Sequence, residues 1–166
     1  MKKAILPVLI FLLAFLLAGC QKTLKGTDEL IEKAREEIPL AHAEEMEIRY
    51  AGVSTKEDSA LMWFVSGNEY QAHYYLPMEC TQRAENEYVF ERVHKPIERG
   101  MDIAVLHWKN GLALLVNNPE CTAIQITDPA GTHIIPVEKD ACPYILYLEP
   151  IPAEYLFLDS DGEEIP

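Results

Sequence analysis

The chain has 166 residues, with 27 acidic side chains against 14 basic ones and a formal net charge of −13. Gripping a phosphate backbone needs clustered lysine and arginine, so this balance excludes nucleic acid as a partner, and it sets the surface against anionic lipid headgroups. The chain is 49% hydrophobic, enough apolar material for one domain core without staples.

Lys2 and Lys3 open the chain, and Ala4 to Ala18 follow without a charge, interrupted only by Pro7. A helix crossing a bilayer needs ~20 apolar residues, so this run has the length of the apolar part of a secretory signal behind a positive start. It ends in Leu17-Ala18-Gly19-Cys20: an aliphatic residue, two small ones and a cysteine. That tetrapeptide resembles the lipobox of bacterial lipoproteins. The resemblance implies a signal peptide over 1–19, cleavage before Cys20 and diacylglycerol on its thiol. A lipidated tether over 20–27 would then hold the body on the extracytoplasmic face of a membrane. Gln21 stands where aspartate would retain such a protein at an inner membrane, which points outward to an outer membrane in a Gram-negative cell. Two acyl chains anchor stably where one is marginal. Cleavage removes two lysines and no acid, leaving the body more acidic still.

Residues 28–166 read as a single β-rich domain behind an N-terminal helix. Thr27 is the expected helix cap, with Asp28 and Glu29 suited to the N-terminal end of the dipole. Leu30, Ile31, Ala34 and Ile38 recur at helical spacing over 28–38, and Pro39 ends the run. The period then changes to two, with Met46, Ile48 and Tyr50 alternating with polar or small residues. Ala60 to Val65 is continuously apolar, which suits a central strand covered on both faces. Residues 69–76 and 87–94 alternate again. Asn110-Gly111 predicts a two-residue hairpin turn before Leu112 to Val116. Asp128-Pro129-Ala130-Gly131 predicts a second hairpin whose return strand, carrying Pro136, belongs at a sheet edge. Tyr144–Leu148 and Tyr155–Leu158 are the last expected strands. Seven to nine strands and one short N-terminal helix point to a mainly β fold, an antiparallel β-sandwich (immunoglobulin-like) or a small barrel.

Beyond Cys20 the thiols are Cys80, Cys121 and Cys142. Three is an odd number in a compartment that permits disulfides; Cys121 with Cys142, which flank a hairpin, is the preferred pair and Cys80 with Cys121 the competitor. His73, His94, His107 and His133 sit on different expected strands without ligand spacing, so neither a metal nor any cofactor is expected. No nucleophile elbow, phosphate loop or dinucleotide fingerprint occurs. Asp159-Ser160-Asp161-Gly162 reads as a turn, since a calcium loop would run on to a bidentate glutamate between helices.

Alternation around Tyr70 to Leu76 puts Tyr70, Tyr74 and Leu76 on a core face. Gln71, His73 and Tyr75 fall on the opposite face, an expected exposed polar and aromatic binding surface. Trp63, Trp108 and these tyrosines could stack on cell-wall sugar rings. Ser66-Gly67-Asn68-Glu69-Tyr70 is similar to the S-G-x-x-Y motif of small lipoprotein inhibitors of C-type lysozyme, though the companion Thr-Lys-Gly motif is missing. The resemblance implies a basic hydrolase as target, which an acidic domain would attract. The expected function is a non-catalytic binding or interaction module tethered to the membrane through its lipid, with a protein or cell-wall glycan as partner. A hydrolase using a cysteine or a carboxylate pair, or an inhibitor of a basic cell-wall hydrolase, is the alternative.

Overall fold

A computed structural model describes residues 22–39, 45–67, 74–98, 102–138 and 140–165. The expected mainly β, antiparallel, sandwich-like architecture with one short helix is what the chain forms. The elements in chain order are β1 (Thr23–Lys25), α1 (Gly26–Glu37), β2 (Ile48–Lys56), β3 (Ser59–Ser66), β4 (Tyr74–Ala84), β5 (Glu87–Val93), β6 (Ile97–Glu98), β7 (Ile103–Trp108), β8 (Gly111–Val116), β9 (Ala123–Asp128), β10 (Gly131–Pro136), β11 (Tyr144–Leu148) and β12 (Glu154–Leu158). They form three sheets, where an immunoglobulin-like sandwich has two. A six-stranded sheet runs β1-β5-β4-β3-β2 with β6 also on β4, and two three-stranded sheets run β11-β8-β7 and β10-β9-β12.

Two apolar runs explain the layering. In β3, Ala60, Met62 and Phe64 face α1 and the Leu24, Leu30 and Ala34 side chains, while Leu61, Trp63 and Val65 face the second sheet. In β8, Ala113 and Leu115 return that contact, while Leu112, Leu114 and Val116 pack on Ile124 and Phe157 of the third sheet. A strand with cover on both faces cannot alternate polar and apolar residues, so these two runs are the spines of a stack: helix, large sheet, small sheet, small sheet.

Residues 23–27, expected as part of a tether over 20–27, belong to the fold, in β1 and the start of α1. Thr23, Leu24 and Lys25 pair with Val89, Tyr88 and Glu87 at the open edge of β5, and Leu24 is buried. Gly26, at φ +74°, turns the chain from strand to helix, so the helix starts ahead of the expected Thr27 cap. Lys25 is the capping residue, and its backbone N–H donates to Glu29 Oε2 at 2.7 Å.

The β7–β8 hairpin forms one residue away from its expected turn. Lys109 and Asn110 make the loop, with Lys109 at φ +51°, and Trp108 pairs with Gly111. Gly111 is needed for a different reason than turn geometry: a Cβ there would lie 2.4 Å from the Leu148 carbonyl oxygen and 2.6 Å from the Tyr147 ring. The second hairpin has the expected place, with Pro129 and Ala130 in the turn and Pro136 on the edge strand β10.

Candidate functional site

Glu79 is a charged residue inside the body. Its side chain is 6% exposed, and it lies on the face of β4 turned toward the second sheet, opposite Leu61 and in line with Tyr75. A buried carboxylate must be matched by cations and hydrogen bonds or give up its charge. Arg92 supplies two contacts to Oε2, through Nε and a terminal nitrogen, both at 2.7 Å. Lys109 Nζ sits 2.8 Å from Oε1, so both oxygens are taken. The indole N–H of Trp108 is turned to the same carboxylate without closing a hydrogen bond. His94 Nε2 stands 3.6 Å from Oε2, just beyond bonding reach.

A β-bulge makes the pairing. Cys80 is opposite Phe90, and a regular ladder would next set Glu79 against Glu91, two like charges face to face. The register slips there, and Arg92 takes the position opposite Glu79. Glu91 is displaced sideways, where its carboxylate accepts the Thr81 hydroxyl at 2.8 Å. Lys109 reaches the cluster from the β7–β8 turn in a left-handed conformation that is uncommon for a lysine. The cluster therefore ties β4, β5 and the turn of the second sheet at one point.

Burial alone would raise the Glu79 pKa, but the hydrogen bonds of Lys109 and Arg92, with Trp108 beside them, hold it down at about 2. Burial lowers the His94 pKa, Arg92 lowers it further, and Glu79 opposes both without prevailing. A carboxylate ionised this firmly is not a general acid at neutral pH and is too weak a base to take protons. What stays open is the outer side of the cations. Arg92 has a 65% exposed side chain and Lys109 a 39% exposed one. With Ser59, Thr81 and Glu91 they line a shallow depression of about 350 Å³. Arginine has five N–H donors and lysine three, so several remain for an outside acceptor.

Of the residues singled out by sequence, Gln71, His73 and Cys20 lie outside the described residues, as do Asn68, Glu69 and Tyr70. Tyr75 is described, and it is fully buried, not exposed. Its ring packs between the first two sheets; its hydroxyl donates to Asp102 Oδ1 at 2.7 Å and accepts from Asn117 Nδ2 at 3.5 Å. Tyr75 does face away from Tyr74 and Leu76, but that opposite face of the sheet is covered by a second sheet and not by water. Trp63 and Trp108 are buried in the same layer, which withdraws them from any sugar-stacking platform. Cys121 and Cys142, the preferred disulfide, stand as two thiols beside Asn118. Burial raises both pKa values, and it carries that of Cys80 to about 12. Asp159 Oδ1 accepts the backbone N–H groups of Asp161 and Glu163, both at 2.9 Å, so this acidic segment is a self-satisfied turn. Among the described residues no three His, Cys, Asp or Glu side chains converge as a metal site.

Sequence reading passed over Glu79 and its cations. The signal was there: Glu79 is a lone charge in the otherwise apolar Tyr75-Leu76-Pro77-Met78-Glu79-Cys80, and such a charge needs a partner from elsewhere in the fold. Compared with models of protein families, with curated proteins and with solved structures, the chain matches none.

Proposed function

We propose that the chain is an exported lipoprotein, anchored through acylated Cys20 on the extracytoplasmic face of a membrane, whose body works by binding another protein. The lipobox carries the location. The binding half is supported by one observation: the groups best suited to chemistry are already committed. Glu79 is neutralised by Arg92 and Lys109, and burial lifts the thiols of Cys80, Cys121 and Cys142 away from the reactive thiolate. The mixed-charge depression around Arg92, Lys109 and Glu91 is the contact surface we favour. The spare donors of Arg92 and Lys109 suit acceptor groups of that partner, its carbonyls or carboxylates, while the acidic balance of the rest of the chain favours encounter with a partner that is basic elsewhere. A protein fits better than a glycan, because Trp63, Tyr75 and Trp108 are buried and offer no stacking face.

Mass spectrometry of the chain produced in a bacterial host tests the anchor. An N-terminal peptide beginning at Cys20 and carrying diacylglycerol is expected, with its loss in Cys20→Ser. An intact Met1 peptide with a bare Cys20 would overturn the location. For the body, native alkylation at neutral pH should modify Cys80, Cys121 and Cys142 more slowly than free cysteine. A thiol reacting faster than free cysteine would restore the hydrolase reading. A C-type lysozyme serves as the basic probe: salt-sensitive retention would make that enzyme class the target, and no retention at low salt removes the inhibitor version.

A further inference from the structure

We infer that Cys121 and Cys142 form a dithiol that closes to an intramolecular disulfide by exchange with an external disulfide, Cys142 being the entry thiol and Cys121 the resolving one. The residue that brings them together is Asn118. Its carbonyl oxygen accepts the Cys121 backbone N–H at 3.2 Å, closing a four-residue turn through Pro119 and Glu120. The same oxygen takes the Cys142 thiol at 3.6 Å. The β8–β11 ladder, with Tyr144 opposite Val116, delivers Cys142 to that position. On the other side, Val137 N–H donates to the Thr122 carbonyl at 2.8 Å, fastening the segment that follows Cys121. The Cys121 backbone and the Cys142 thiol thus share one carbonyl in the loops that join the second sheet to the third. To reach disulfide geometry the Cys121 thiol has to leave the Ala123 carbonyl oxygen, to which it donates at 3.5 Å, and turn toward Cys142.

Exposure assigns the order of events. Cys142 is half-buried, whereas Cys121 is 1% exposed in the core between the two small sheets. Cys80 is fully buried in a different layer, between α1 and the large sheet. The Cys142 thiolate attacks one sulfur of an external disulfide; that S–S bond breaks and one thiol leaves with a proton. The Cys121 thiolate then attacks Cys142 Sγ in the mixed disulfide, forms the internal S–S bond and expels the second thiol. Two electrons and two protons pass from the protein to the external disulfide, so atoms and charge balance. In the cell, supply of that oxidant rests on the extracytoplasmic location proposed above, where disulfide exchange is maintained. The geometry does not depend on it.

The test uses the purified, reduced, full-length chain with oxidised glutathione at mildly alkaline pH, followed by denaturation and thiol counting. Of Cys80, Cys121 and Cys142, one thiol should remain, and peptide mapping should find Cys121 linked to Cys142 with no glutathione retained. Cys121→Ser should hold glutathione on Cys142, because the resolving thiol is gone. Cys142→Ser should keep Cys80 and Cys121 unmodified, because no entry thiol is left. A link that includes Cys80, a link between chains through Cys121 or Cys142, or Cys80, Cys121 and Cys142 all still present as thiols would overturn the assignment; Cys20, the fourth cysteine, is followed separately in the peptide map. None of those results bears on whether Cys20 carries lipid, which the N-terminal peptide answers separately.

Discussion

A carboxylate that leaves water keeps its charge only where cations replace the lost hydration, and at Glu79 Lys109 and Arg92 supply that replacement. The group titrates at about 2 in the folded chain against an ordinary value of 4.5. The folded pKa is the lower one, so the stabilisation is whole above 4.5 and is lost as the pH falls from there toward 2. At about 1.4 kcal/mol per unit this amounts to roughly 3 kcal/mol. His94 acts earlier in an acid titration. Burial and then Arg92 lower its pKa from 6.5, so the unfolded chain binds this proton more readily and stability declines as the pH drops below that value. Denaturant unfolding along a pH series should therefore show a first decline below 6.5 that His94→Gln removes. A second decline below 4.5 should be absent in Glu79→Gln. Parallel acid curves for wild type and Glu79→Gln would mean that the cations do not hold the carboxylate.

The bulge in β5 turns a local accident of order into a pairing rule. With Arg92 opposite Glu79 and Glu91 set aside toward Thr81, the order Glu-Arg matters more than its composition. Exchanging the two, Glu91→Arg with Arg92→Glu, leaves the net charge unchanged and sets an acid against Glu79. We expect a loss of roughly 3 kcal/mol, the scale of breaking a buried ion pair, read as a lower urea midpoint. An unchanged midpoint would mean that the register can slip to accommodate either order. Elements of this kind mark the boundary of what the sequence announces. The apolar run Ala60 to Val65 and edge residue Pro136 are legible because each is a short-range pattern with one physical meaning; the hairpin before Leu112 is legible too, but its turn falls at 109–110 because Gly111 answers to the close approach of Tyr147 and Leu148. Leu24 in a polar stretch carries no strand signal of its own, because its partner strand, β5, lies more than sixty residues downstream. Tyr75 has no signal for burial, because alternation gives two faces and does not say whether the second is covered. The Glu79 cluster was hidden for a related reason: its cations come from a bulge and from a turn, neither of which has a periodic signature.

At the scale of the molecule, β3 and β8 each contribute to two cores, so no layer is independent of the next. Leu115→Ala opens the core between the large sheet and its neighbour, and Leu114→Ala opens the one between the small sheets. Each should cost about 2–5 kcal/mol, and each should shift one cooperative transition. Two resolved transitions in calorimetry would show that the layers melt separately. The early start of β1 bears on how such a stack can stand on a membrane. From Cys20 to Thr23 the chain extends at most about 10 Å, less than the width of a single helix with its side chains. If Cys20 carries lipid as proposed, the protein would be moored at the waterline with almost no slack. It would not reach across a wide gap or swing freely to search for a partner. One flank would stay next to the headgroups, and a captured partner would have to arrive from the open side and come down to the bilayer to be held.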